Sequence, residues 1–141
     1  MRYLAILLLA AATARAAEPA GEDWWSRLKS SITEYLGRPY AWGSCGIKSF
    51  DCSGFVWRVF SDNGVLMKRT TARKLYLSLP AAEGGERWRF GNVVFFDNLK
   101  HCGIVADRTA FYHAVSSKGT TLSKFDPYWR GKVCGVGKIG R

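Results

Sequence analysis

The sequence predicts helices first and strands after, the segregated order of an α+β chain. Three observations carry this. Cys52, Phe55, Val56, Val59 and Phe60 recur at the i, i+3, i+4, i+7, i+8 spacing of a helix with one buried face. A second helical stripe lies upstream of it. From Trp88 onward the period becomes strand-like, with apolar runs at 92–97, 101–106 and 110–115.

The chain has 141 residues, the size of one domain. Residues 1–17 read as a secretory signal peptide rather than as part of the fold. Arg2 supplies a positive start, Leu4 to Ala12 is an apolar run too short to span a bilayer comfortably, and Ala14-Arg15-Ala16 is a small-x-small cleavage site. The catalytic domain is then expected over 18–141, in a secreted or periplasmic protein with no membrane span after cleavage. The first cysteine is Cys45, so no lipid attachment site follows the leader. The whole chain carries a net charge of +10. Cleavage removes Arg2 and Arg15 and no acid, leaving +8. A basic surface suits a polyanion such as a bacterial wall, a membrane surface or nucleic acid, and it also serves simply as a solvated face. No basic helix or RNA-binding motif is present, so nucleic acid is not expected as a partner. Nothing in the chain calls for an oligomer, and a monomer is expected.

After a linker at 18–22, Asp23 opens a helix expected to bury Trp25, Leu28, Ile32, Tyr35 and Leu36; Gly37 and Pro39 end it. Arg38 to Gly46 is a glycine-punctuated loop. Tyr40 in that loop could donate to a developing oxyanion or serve as a core tyrosine. Asp51 is placed to cap the next helix, with Asn63-Gly64 as its stop. Cys52 therefore falls in the first turn, where outward N–H groups and the helix dipole lower a thiol's pKa. Taken alone, this stretch fits a reactive thiol, a structural cysteine or half of a disulfide equally well.

Lys68, Arg69, Arg73 and Lys74 form a basic cluster, and Thr70 or Thr71 can cap a short helix ending at Leu79, before Pro80. Pairing the strands at 101–106 and 110–115 around a turn at 106–108 sets His101 directly opposite His113, on one face. These are the only two histidines in the chain. A last strand is expected over 132–139, after the aromatic turn Asp126-Pro127-Tyr128-Trp129. A thiol at a helix N-terminus with two cross-strand histidines has the parts of a nucleophile–base–orienter triad. Zinc is the rival chemistry, but no CxxC or HxxxH pair supports a metal site, and no cofactor is expected.

These segments resemble the NlpC/P60 cysteine peptidases. The resemblance rests on Pro39-Tyr40-Ala41-Trp42-Gly43, Phe50-Asp51-Cys52-Ser53-Gly54-Phe55-Val56, Gly91-Asn92-Val93-Val94-Phe95-Phe96, His101-Cys102-Gly103-Ile104-Val105 and Phe111-Tyr112-His113-Ala114, in the family's order and at its spacings. It implies a papain-like α+β fold, with the nucleophile helix packed on a central antiparallel sheet. It implies hydrolysis of stem peptides in bacterial peptidoglycan, with Cys52 as nucleophile, His101 as base and His113 as the third polar residue. Tyr40 matches the tyrosine near the oxyanion, and Asp51 and Ser53 flank the nucleophile where the family lines its substrate site. Two positions depart from the pattern: Asn92 stands for the usual Asp, and Cys102 for a branched aliphatic. An amidase cutting the sugar–peptide bond would use the same residues. A related lipid acyltransferase would carry His before Cys. A non-catalytic cationic wall-binding protein would keep the triad as a relic. With Cys52 set aside, a Cys45–Cys134 disulfide is expected in a secreted chain, closing a loop worth about 4 kcal/mol. Cys102 is then expected to be a buried small hydrophobe.

Overall fold

A computed structural model describes residues 23–139. The expected signal peptide and linker lie outside the described residues. The chain order is α1 (Trp24–Tyr35), α2 (Cys52–Asp62), α3 (Ala72–Ser78), a 3₁₀ turn (Gly84–Trp88), β1 (Val93–Phe96), β2 (His101–Val105), β3 (Ala110–Val115), β4 (Gly119–Lys124), α4 (Pro127–Arg130) and β5 (Val133–Gly137). The five strands form one antiparallel sheet in the order β4-β3-β2-β1-β5. This is the expected α+β arrangement.

α2 starts and stops where its sequence directs. The Asp51 carboxylate accepts from the Gly54 N–H at 2.6 Å, and Asn63 caps the far end before Gly64 turns at φ +80°. Phe55, Val56, Val59 and Phe60 are fully buried and form one core with α1 and one face of the sheet: Val93, Phe95, Cys102, Ile104, Tyr112 and Ala114. The opposite sheet face carries Val94, Phe96, Val105, Phe111 and Val136, covered by Phe125, Trp88 and Trp129.

α1 buries a different face from the one expected. Trp24 is 7% exposed and Trp25 44%. The buried row is Trp24, Leu28, Ile32 and Tyr35, and Leu36 is only partly buried. The Trp24 indole donates to the Asn63 carbonyl at 2.9 Å, which fixes the rotation of α1 against the end of α2. Trp25 falls to the flank, over Phe90 and Gly91.

The β2–β3 register also differs. Ile104 pairs with Tyr112 and Val105 with Phe111, two residues from the expected pairing. His101 and His113 are therefore diagonal, not directly opposite. A shift of two preserves the face, because side chains alternate with period 2. Before β2 the chain turns through Asp97, Asn98 and Leu99, at φ 51°, 54° and 65°. Three successive non-glycine residues in the left-handed region make a costly turn that only firm surroundings hold in place. It delivers Lys100 and His101 to the start of α2.

β4 has no counterpart in the sequence reading. Its segment, Gly-Thr-Thr-Leu-Ser-Lys, is polar, as an edge strand's can be. The Arg38 segment covers its outer edge: Thr120 N–H donates to the Arg38 carbonyl at 2.9 Å, and Gly37 N–H to the Thr120 carbonyl at 2.8 Å. The expected aromatic turn is a single turn of helix, α4, capped by Asp126.

The Cys45–Cys134 disulfide is absent; both thiols are free. Cys45 lies in a loop that leaves the β4 edge and bridges to Phe50, whereas Cys134 is in β5 at the other edge.

Candidate active site

Cys52 is the first residue of α2 and faces the start of β2. Its Sγ lies 3.9 Å from the Lys100 carbonyl oxygen. The side chains of Cys102 and His101 lie near enough to act on its ionisation. The Cys52 thiol is held down at about 5, first by the hydrogen bond from Cys102 and then by the bond and charge of His101, against the opposing effect of burial. Cys102 is fully buried beside Cys52, its own pKa is raised well above the usual thiol range, and so it stays a donor. Cys102 is thus the buried, core-packed residue that was expected, and its position beside Cys52 also favours the thiolate.

His101 Nε2 lies 2.8 Å from His113 Nδ1, which leaves His101 Nδ1 for the thiol. His113 is completely buried, ringed by Phe111 at 4.5 Å and Trp129 at 5.0 Å between centroids. Burial, then the charges of His101 and Lys118, lower it to about 3, so it is neutral near pH 7. A neutral His113 can accept a hydrogen bond from His101 but cannot take up a proton. Its Nε2 in turn lies 2.7 Å from Ser123 Oγ on β4.

Tyr40, Asp51, Cys52, Ser53 and His101 line one cleft of about 930 Å³, together with Trp42, Arg69, Arg73, Lys74 and Lys100. Tyr40 is partly buried; burial first, then the negative charge of Cys52 and Asp51, raises its pKa and keeps its hydroxyl a donor. Asp51 and Ser53 are more tightly committed than a substrate contact would need. The Asp51 carboxylate accepts from Gly54 N–H, from Gly43 N–H at 3.0 Å, and from Arg69 Nη2 at 2.9 and 3.1 Å. Arg69 Nη1 also donates to Ser53 Oγ at 2.9 Å and to the Thr70 carbonyl at 2.7 Å. A buried carboxylate needs such a partner. Sequence reasoning placed Arg69 only in a basic cluster; its spacing from Asp51 carries no periodic signal. Ser123 was missed because its strand was missed. His113 lies apart from the cleft and reaches it only through His101. Among the described residues, no group of three or more His, Cys, Asp or Glu side chains could hold a metal ion.

Residues 37–138 match the model of the family described as NlpC/P60. The chain belongs to the NlpC/P60 family. Over 115 residues it is 31% identical to the probable peptidoglycan endopeptidase LytE of Bacillus subtilis, which covers 79% of this chain and 33% of that protein. It is 30% identical over 113 residues to the murein DD-endopeptidase MepS/murein LD-carboxypeptidase of Escherichia coli K12, covering 77% and 59%. The chain thus spans about one third and somewhat under two thirds of the length of these two relatives. A solved NLP/P60-family structure from Staphylococcus aureus, described as similar to a lipoprotein, has the same fold at TM-score 0.72 and 24% identity, covering 87% of this chain and 44% of that one. The NlpC/P60 fold and family expected from the motifs are therefore those of the chain.

Proposed function

We propose that this NlpC/P60 protein is a cysteine endopeptidase that hydrolyses stem peptides of bacterial peptidoglycan through Cys52, His101 and His113. The observation that carries the reading is a thiol at a helix N-terminus that shares one cleft with a histidine whose Nε2 lies 2.8 Å from a buried second histidine; the lowered thiol pKa agrees with it. That is the arrangement of an activated nucleophile with an oriented base. The relatives named as endopeptidases support the substrate class. So does the cleft's charge: Arg73, Lys74 and Lys100 line it, while Asp51, its one carboxylate, is already paired with Arg69.

In this mechanism the Cys52 thiolate attacks a stem-peptide carbonyl. The Cys52 backbone N–H, in the first turn where no intrahelical acceptor exists, and the Tyr40 hydroxyl receive the oxyanion. His101 Nδ1–H donates its proton to the leaving amine. His101 then takes a proton from water, and the hydroxide attacks the acyl carbon, releases the acid and restores the thiolate–imidazolium pair. His113 accepts from His101 Nε2–H throughout. The steps use no cofactor. The domain acts as a monomer over 18–141, in the periplasm or outside the cell, after the leader at 1–17 is removed.

Mass spectrometry of purified peptidoglycan digested with residues 18–141 tests this. Fragments with new termini inside the stem peptide are expected, and none from Cys52→Ala. Cleavage between sugar and peptide would make the protein an amidase. An intact wall after digestion with folded wild type would make it a binding protein.

A further inference from the structure

The hydrogen-bond chain behind Cys52 does not end at His113. Ser123 pairs across the β3–β4 ladder with Phe111, which makes it the diagonal neighbour of His113 on the same sheet face. Its Oγ is 2.7 Å from His113 Nε2, and no other hydrogen bond reaches that nitrogen among the described residues. Around it lie the rings of Phe111 and Trp129, which offer no acceptor.

The direction of each bond follows from the charged state. When the thiolate faces an imidazolium, both His101 nitrogens carry hydrogen. Nε2–H then donates to His113 Nδ1 across 2.8 Å, so Nδ1 must present a lone pair. The His113 proton is left on Nε2, where it needs an acceptor, and Ser123 Oγ has two lone pairs to offer. With the proton on Nδ1 instead, two N–H groups would meet head-on. Ser123 is also neutral. A carboxylate in its place would stabilise a protonated His113, which could not accept from His101.

We propose that Ser123 is a positioning residue, holding His113 in the Nε2–H tautomer so that Nδ1 stays open to His101. Its effect on turnover rests on the peptidase reading; its effect on the tautomer does not.

Two-bond ¹H–¹⁵N NMR of the ring nitrogens tests the tautomer directly, because the chain holds only two histidines. Kinetics on one muropeptide test the consequence. In wild type near pH 7, His113 is expected protonated on Nε2. Ser123→Ala should give a mixture of tautomers and a kcat about three- to tenfold lower, the effect of one neutral hydrogen bond, with KM within about twofold. Ser123→Thr keeps a hydroxyl on a strand that favours β-branched residues, and should retain both tautomer and kcat. A wild-type His113 protonated on Nδ1 would overturn the proposal. So would an unchanged kcat in Ser123→Ala, a loss confined to KM, or equal losses in the Ala and Thr variants. If the alanine variant fails to fold, the wild-type tautomer and the threonine variant decide. If wild type cleaves no wall peptide, the peptidase reading fails and the NMR result still decides the tautomer.

Discussion

Gly103 offers the most direct test of how the sheet builds the site. It sits between His101 and Ile104 on β2, on the histidine face. A Cβ added there would lie 2.6 Å from the Tyr112 carbonyl oxygen, 3.1 Å from His113 Cβ and 3.2 Å from a ring carbon of Phe111. Carbon–oxygen contacts normally begin near about 3.3 Å, so in Gly103→Ala the β2 and β3 backbones must part by about 0.7 Å. Overpacking of this kind costs about 1–3 kcal/mol. For a domain of this size that is a fall in Tm of about 4–12 °C. The same displacement pulls His113 from its 2.8 Å contact with His101. A misplacement approaching 1 Å can cost about a hundredfold in rate, so kcat should fall by between ten- and a hundredfold, on the order that misplacement sets. Thermal unfolding by circular dichroism and turnover of a muropeptide would be measured beside Gly46→Ala, a position where an added Cβ meets nothing within 4 Å. Gly46→Ala should match wild type in both. If Gly103→Ala also matched wild type, the diagonal histidine contact would not depend on the empty position opposite His113, and the reasoning would fail.

The rate of iodoacetamide alkylation of Cys52 should rise with a midpoint near pH 5, and Cys102→Ala should move that midpoint upward by removing the largest stabilising bond. A wild-type midpoint near the ordinary thiol value of 9.0 would contradict the low pKa. Because the folded pKa is depressed, the stability Cys52 contributes is fully present above about pH 9 and is lost as pH falls towards 5, so Tm should drop across that window more in wild type than in Cys52→Ala. His101→Ala should nearly eliminate turnover, whereas His113→Gln should keep a measurable rate, because a glutamine carbonyl can still accept from His101 Nε2–H; equal loss in both variants would require the two roles to be reassigned. Arg69→Gln leaves Asp51 buried without its cation and should cost about 3 kcal/mol, read as a Tm lower by roughly 10 °C; a Tm within 2 °C or so of wild type would show that the pair is dispensable.

The stretch from Asp51 to Gly64 could be read without its surroundings. A cap, an apolar stripe and a stop each act over one to four residues, and backbone geometry alone sets their spacing. The motif blocks were legible in the sequence too, and with the expected hairpin pairing they brought Cys52, His101 and His113 together on paper. Tertiary structure decided which tryptophan α1 buries, since Trp24 and Trp25 differ only by a rotation that the end of α2 fixes. It also decided the β2–β3 register, and the two histidines still meet because a slip of two residues keeps a side chain on its face. The contact of Cys102 with Cys52, the clamp of Arg69 on Asp51 and the bond of Ser123 to His113 had no local signal at all. Each joins elements whose separation along the chain is unrelated to their separation in space. The order β4-β3-β2-β1-β5 sets that spatial separation, placing Ser123 behind His113. A strand as polar as β4 takes its place from the edge it completes rather than from its own hydrophobicity.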